Sequence, residues 1–493
     1  MNYICGDDRE QIRIELMEDY VEKDSEVRII DKIVDAMDME SMGFNIGNND
    51  VAGRPKFSPR DLLKIYIYGY FNGIRSSRKL SKQCIINREV IWLIKGLQPK
   101  YRVIADFRKE HVESLEKVFK SFVNYCIELG LYGKDLIVVD GTKLEASASK
   151  RKHYSKNKLA KMKQLVENRI KEYLHDIEMN DSLDENESNK LDSVALTAAI
   201  QKLEEKLAYY DDLEANLIKN GENEVNFTDS DAKTVKFGAN QGTDVGYNVQ
   251  SAVDSQNKLI VTYDVINNSA DQGQLYNMGK KVKDILDVES IEVLADKGYF
   301  DTKDFTSCEE ENILPYVSRP RYSNSIGDSR YFSDRFKYLK DEDVYLCPDG
   351  QKLSCVTKKI DAKQKIYCNS EACNNCKNSS NCTTSTKGRT ITRTKSDDIA
   401  ETVNNRVKEN QAIYMQRQMI VEHPFGTLKR TMNFYYLLLR GFRKVRGEVS
   451  LAFFAYNLKR VINILGVKKL LGFLIARFYF VIFIKYKMIT IAT

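Results

Sequence analysis

From Ser58 to about Gly130 apolar residues recur at helical spacing. Ser58 and Pro59 stand as an N-cap and a first-turn proline, Leu62, Leu63, Tyr66, Ile67 and Tyr70 follow, and Gly73 closes the segment. Ser76 and Ser77 open a short basic helix, SSRKLSKQC, and one further long helix is predicted through DFRKEHVESLEKVFKSFVNYCIELG. Beyond it the period changes. LIVVD, ending at Asp140, and IEVLAD, ending at Asp296, read as buried central strands that each stop on an aspartate. An acidic residue at the carboxyl end of such a strand lies where open sheets bind ligands.

Between those strands lie two helical patterns, roughly 158–178 and 191–219, separated by the acidic polar turn NDSLDENESNK; an inserted helical hairpin is the simplest account. TDVGYNVQSAVD and KLIVTYDVI follow as antiparallel strands joined near Ser255, Gln256 and Asn257. A helix is expected after Asp271, which reads as its N-cap, then the strand ending at Asp296, then a strand at ILPYVS. A first strand, a hairpin and then alternating helices is the order of an RNase H-like mixed α/β sheet.

With 493 residues, 42% hydrophobic and 30% charged, the chain has enough apolar material for several units. Six are expected: an N-terminal helical domain (1–130), an α/β core in two parts (131–150 and 236–320), a helical hairpin insertion (151–235), a Cys-rich insertion (321–400), C-terminal core helices (401–466) and an apolar tail (467–493). The net charge of +6 is mild, so local basic patches matter more than the sum. The amino terminus, MNYICGDDREQIRIELMEDY, is acidic and lacks the apolar core of a secretory signal, which points to the cytoplasm and to reduced or metal-bound cysteines. The tail LLGFLIARFYFVIFI, from Leu470 to Ile484, is shorter than the roughly 20 residues of a membrane span and carries Arg477, which favours a buried final element or an extension over insertion.

Two basic clusters suggest phosphate contact. Arg75, Arg78, Lys79 and Lys82 sit among short helices joined by tight turns, which suits either a helix-turn-helix-like DNA-binding unit or a packing domain with a charged face. Lys143, Lys150, Arg151, Lys152, Lys156, Lys158, Lys161 and Lys163 begin three residues beyond Asp140; the alternative there is a solvated helix face.

DGTKLEASASK, GYNVQSAVD, ADKGYFD and YMQRQMIVEHPFGTLKR, in that order, resemble motifs of DDE transposases of bacterial insertion sequences. FSPRDLLKIYIYGYFNGIRSSRKL and the cysteine-containing insertion are more similar still to the group called eleven-eighty-two. The resemblance runs from about residue 55 to about residue 463. It implies that Asp140, Asp296 and Glu422 form a metal-binding catalytic triad, and that Tyr414, Arg417 and Lys429 contact DNA phosphates beside it. It also implies a nucleoid-associated oligomer that pairs two element ends, acting on the terminal inverted repeats and on target double-stranded DNA.

The chemistry suits those residue types. Magnesium, or manganese in its place, takes a few carboxylates plus waters and substrate oxygens, and two ions can activate an attacking hydroxyl while stabilising the leaving oxygen. Cleavage at an element end and strand transfer would then share one centre, with no protein nucleophile. Pro424 interrupts the helix expected around Glu422, which must kink there or begin near Glu422. Arg417 stands one residue farther from Glu422 than the spacing implied by the resemblance. His423 is read as structural.

Cys347, Cys355, Cys368, Cys373, Cys376 and Cys382 cluster between Asp296 and Glu422. Cys373-x-x-Cys376 has the spacing of a zinc chelate, and Cys347, Cys373, Cys376 and Cys382 could make one structural zinc site, with Cys368 a substitute; free thiols are the alternative.

Overall fold

A computed structural model describes residues 8–46, 56–181, 193–237, 242–321, 326–357, 364–394 and 396–477. Helices come first. α1 (Glu26–Asp35), α2 (Pro59–Phe71), α3 (Ser77–Ile86), α4 (Arg88–Leu93), α5 (Tyr101–Glu110) and α6 (Val112–Glu128) precede any strand. Ser58 caps α2 by accepting the Arg60 N–H, with Pro59 in the first turn. Gly73, at φ +69°, ends it. The long helix expected through 106–130 is broken: α5 stops at Glu110, and His111 (φ −106°, ψ 39°) leaves helical geometry before α6 starts. The His111 ring stacks on Phe44 and Phe107, so aromatic packing holds the corner that helical periodicity alone does not show.

The central sheet contains β1 (Leu136–Glu145), β4 (Lys233–Lys236), β5 (Thr243–Asp254), β6 (Ile260–Ile266), β7 (Ile291–Ala295) and β8 (Ile313–Val317). Its order is β4–β5–β1–β7–β8, with β6 also on β5. β1 runs antiparallel to β5, with Asp140 opposite Ser251, and parallel to β7, with Leu136 opposite Glu292. β7 and β8 are parallel, while β6 is antiparallel to β5. α9 (Leu275–Leu286) links β6 to β7, and α10 (Thr302–Glu310) links β7 to β8. Ile137, Val138, Val139, Val293, Leu294 and Ala295 are fully buried, as strands covered on both faces require.

Between β1 and β4 the chain forms β2 (His153–Ser155), β3 (Glu224–Asn226) and two long helices, α7 (Lys156–Asp181) and α8 (Ser193–Lys219). Leu159, Val166, Tyr210, Leu213 and Leu217 give these helices their own small core, and Lys163 of α7 reaches Glu214 of α8 at 2.7 Å. Most of the acidic turn read between them, residues 182–192, lies outside the described residues.

After β8 comes a second sheet, β9 (Lys337–Leu339), β10 (Val344–Leu346), β11 (Lys352–Cys355), β12 (Gln364–Cys368) and β13 (Ile391–Thr394), with the short helices α11 (Ser370–Asn374) and α12 (Ser379–Cys382) before β13. The chain then returns to the central body through α13 (Asp397–Glu409), α14 (Gln411–Gly426), a π-helical turn (Thr427–Thr431) and α15 (Phe442–Leu465). α14 neither begins at Glu422 nor stops at Pro424. It runs through the proline, and the wider π turn follows directly, the kind of local rewinding that absorbs a lost backbone bond.

One hydrophobic core joins the N-terminal helices, both faces of the central sheet and α15. Within it Glu448 of α15 accepts the N–H groups of Leu438 and Leu439 and pairs with Arg75. Of the apolar tail, residues 467–477 are helical, with Leu470 and Leu474 in that core and Arg477 paired with Glu128; the remainder lies outside the described residues. No described helix is long and apolar enough to cross a membrane.

Candidate active site

β1 and β7 run parallel and adjacent, but β1 does not stop at Asp140 as its apolar run predicts: it continues along β5 to Glu145, so Asp140 lies at mid-strand, just beyond the end of the parallel pairing. Asp140 lies on β1 two residues past its last pairing with β7, and Asp296 directly follows β7. Asp296 turns its carboxylate onto the Gly298 N–H at 2.7 Å and caps the turn Lys297–Tyr299; a Cβ on Gly298 would meet Asp296 Oδ1 at 2.9 Å, which explains the glycine in ADKGY. Asp140 accepts the Gly141 N–H at 2.9 Å. Burial raises its carboxyl to about 6; Arg417 opposes the shift, while Asp296 and Asp271 add to it.

Strand alternation sends Gly141 to the face opposite Asp140. A Cβ there would stand 2.6 Å from Gln250 Nε2, 2.8 Å from Asp271 Oδ1 and 2.9 Å from Asn248 Oδ1, so the aspartate-glycine pair is a packing requirement. On that face Asp271 Oδ1 accepts Asn248 Nδ2 (2.7 Å), Gln250 Nε2 (2.8 Å) and Lys143 Nζ (2.9 Å), and the Tyr299 hydroxyl donates to Gln250. Asp271 therefore does not cap α9, whose N-cap is Gln274. The sequence reading missed this cluster. Its signal was present in GYNVQS: Asn248 and Gln250 are polar residues two apart, on one face of a strand, and fully buried.

α14 crosses this edge of the sheet. The Tyr414 hydroxyl donates to the Ala295 carbonyl at 3.2 Å, beside Asp296, and the charge of Arg417 acts on Asp140. Lys429, in the π turn, is drawn down by burial and held up in part by Asp140. Arg417 and Lys429 thus act by charge on Asp140, and Tyr414 holds the backbone just before Asp296.

Glu422 is differently placed. Ile420 and Val421 are buried, whereas Glu422 is exposed, accepts Gln418 Nε2 at 2.6 Å and lines a shallow groove with Lys258, Met415, Met419 and His423. Among the described residues no three His, Cys, Asp or Glu side chains stand together as a metal would require, so the acidic triad is not assembled as these side chains lie. His423 is structural, its Nδ1 2.9 Å from the Tyr456 hydroxyl.

The basic residues divide. Arg75 is not available to DNA: it is 3% exposed, donates to the Tyr436 carbonyl at 2.7 Å and lies over the Tyr436 ring, because the turn between α2 and α3 packs against the segment after the π turn. Arg78 is exposed and stacks over Tyr101. Lys143 is held by Asp271, Lys150 by Asp244 and Lys163 by α8, while Arg151, Lys152 and Lys161 are exposed. Cys347, Cys373, Cys376 and Cys382 line one cavity in the second sheet's unit, and Cys368 is buried beside it.

Residues 15–110 match a family model described as a transposase domain (DUF772), and residues 346–462 match one described as a transposase DDE domain. The second match contains Tyr414, Arg417, Glu422 and Lys429; neither contains Asp140 or Asp296. No match was found among curated proteins or among solved structures. The two matches support an insertion-sequence transposase.

Proposed function

We propose that this chain is a DNA transposase that cuts DNA at the ends of its element and joins those ends to a target, using divalent metal held by a DDE-type acidic centre. The observation that carries the reading is Asp140: a carboxylate raised by burial, beside Asp296 where the parallel pairing of β1 and β7 runs out, and under the charges of Arg417 and Lys429. The sheet order, a hairpin on the first strand and parallel strands on its other side, agrees with an RNase H-like core.

Asp140 and Asp296 fit a divalent cation. Asp140, desolvated and set beside the charge of Asp296, carries an excess of negative charge that a hard cation relieves, and magnesium commonly takes only one or two protein carboxylates plus water and phosphate oxygens. When bound, it would polarise the scissile phosphate and activate the attacking oxygen. The protein groups supply position. Arg417 and Lys429 are cations beside Asp140 and would hold non-bridging phosphate oxygens, while the Tyr414 hydroxyl fixes the backbone that presents Asp296. Glu422 completes the acidic set in this reading only when α14 turns it inward. Arg78 is the exposed basic residue proposed to meet the DNA backbone away from the reacting phosphate, and the assembly that joins two ends is proposed to be an oligomer.

The outward Glu422 favours one rival, a scaffold that binds element ends without cutting them. Labelled DNA carrying the terminal inverted repeats, incubated with magnesium and a supercoiled acceptor plasmid, separates the readings. Cleaved ends and joined products are expected. Cleavage without joining identifies a nuclease, and binding alone identifies the rival. Cleavage unchanged in Asp140→Ala and Asp296→Ala would remove the centre from these residues.

A further inference from the structure

The unit built on β9–β13 is small for its independence. Its core holds five buried residues, Phe336 just before β9 and Tyr345, Leu353, Tyr367 and Ile391 on strands of three to five residues. Units of that size are commonly held by a covalent or metal link. Among the described residues no disulfide supplies one.

Two tight turns carry the thiols. After β10, Cys347 N–H donates to the Gln351 carbonyl (2.8 Å) and Gly350 N–H to the Cys347 carbonyl (2.9 Å), with Gly350 at φ +80°. That turn aims the Gln351 N–H at Cys347 Sγ, 3.3 Å away. In the second turn Cys376 N–H donates to the Cys373 carbonyl at 3.3 Å, and the backbone N–H of Arg389 serves the Cys373 sulfur. Backbone N–H groups so directed would support these sulfurs as metal ligands. Gly388, at φ +85°, makes room: a Cβ there would meet Cys373 Cβ at 2.7 Å. Cys382 ends α12 and faces the same space.

All four sulfur-bearing residues line one cavity of about 30 Å³ together with Asp349 and Arg389. That is room for about one water molecule, and so for a single ion once the sulfurs turn inward. Burial and the neighbouring sulfurs push the Cys382 thiol up to about 11, and Arg389 partly offsets this. Arg389 Nε is buried with no hydrogen-bond partner. Four thiols crowded into one small cavity, two of them on turns that fix their backbone, form a set that a divalent cation accepts on loss of their protons. Cys368 is otherwise engaged, donating to the Lys387 carbonyl at 3.3 Å.

We propose that Cys347, Cys373, Cys376 and Cys382 close on a single tetrahedral zinc ion that holds this unit together. As placed, the side chains do not stand at ligand spacing. The backbone turns are set, so closure requires the sulfurs to swing about their own side-chain bonds into the shared cavity. Each cysteine that binds as thiolate releases its proton to solvent, and no redox step is involved. The inference does not rest on the transposase reading.

The test uses the full chain, purified without chelator and dialysed against zinc. Metal analysis should give about one zinc per chain. Cobalt substitution should produce intense sulfur-to-metal charge-transfer absorption. Cys376→Ser and Cys382→Ser should lower the zinc content and weaken that absorption, while Cys368→Ser and Cys355→Ser leave both unchanged. Zinc near zero in the wild-type chain, with the thiols open to a thiol reagent, overturns the proposal even if the serine variants fail to fold. Zinc loss in Cys368→Ser equal to that in Cys376→Ser overturns the ligand assignment.

Discussion

The two halves of the candidate centre are built on different elements, and only one is assembled. The strand-borne half, Asp140 and Asp296, is placed by hydrogen-bond register between β1 and β7. A strand offers two faces, and residues just past the parallel pairing of two adjacent strands are neighbours by construction. The helix-borne half spreads around α14. Successive helical residues differ by about 100° in direction, so one residue of extra spacing between Arg417 and Glu422 exchanges a buried position for an exposed one. Val421 takes the buried position, and Glu422 faces the groove with Lys258.

Four experiments bear on that contrast. The largest effect is expected on the strands: Asp140→Ala or Asp296→Ala should lower magnesium-dependent end cleavage by about a thousandfold or more, measured in single-turnover assays. Glu422→Ala should match that loss if α14 turns when DNA binds. Wild-type cleavage in that variant would show that the strand-borne pair works alone.

The cluster behind β1 should matter less. Asp271→Asn keeps the shape but releases Lys143, and cleavage should fall about 10–100-fold, the usual cost of losing a supporting contact, with DNA affinity little changed. An affinity loss as large as the rate loss would mark Lys143 as a direct DNA contact.

The smallest effect is on stability. Asp140 has a folded-state carboxyl raised to about 6 from an ordinary value of 3.8. Such a group favours the fold below its unfolded value and loses that contribution as pH rises through about 6. Asp140→Asn should therefore stabilise the chain above pH 6, by up to about 3 kcal/mol, and much less near pH 4. Thermal melts at both pH values without divalent metal check it, and magnesium should narrow the gap by stabilising the wild type. A variant no more stable than wild type at neutral pH would mean that Asp140 is better solvated than its surroundings indicate.

Legibility followed the same division. The helix α2, the strands β5, β6, β7 and β8, and the Asp296 that follows β7 could be read from period and composition, because strands buried on both faces leave long apolar runs; β1 was legible only as far as Asp140, where its apolar run stops while its pairing with β5 carries it on to Glu145. What escaped depended on contacts distant in sequence. His111 breaks a continuous helical pattern through aromatic partners 67 and 4 residues away. Arg75 carries the composition of a DNA contact yet is enclosed by Tyr436 and Glu448, over 350 positions later. Asp271 was assigned to a cap because its partners, Asn248 and Gln250, lie on another strand. The azimuth of Glu422 was the least legible, since a helix containing Pro424 and followed by a π turn has no fixed phase.

The Arg75–Glu448 pair bears on modularity. One partner lies in the segment matched at 15–110 and the other in the segment matched at 346–462, with the Tyr70 hydroxyl reaching the same carboxylate at 3.4 Å. A change at Arg75 or Glu448 alone leaves the other charge buried without its ion-pair partner. At this contact the two separately matched segments are constrained to change together.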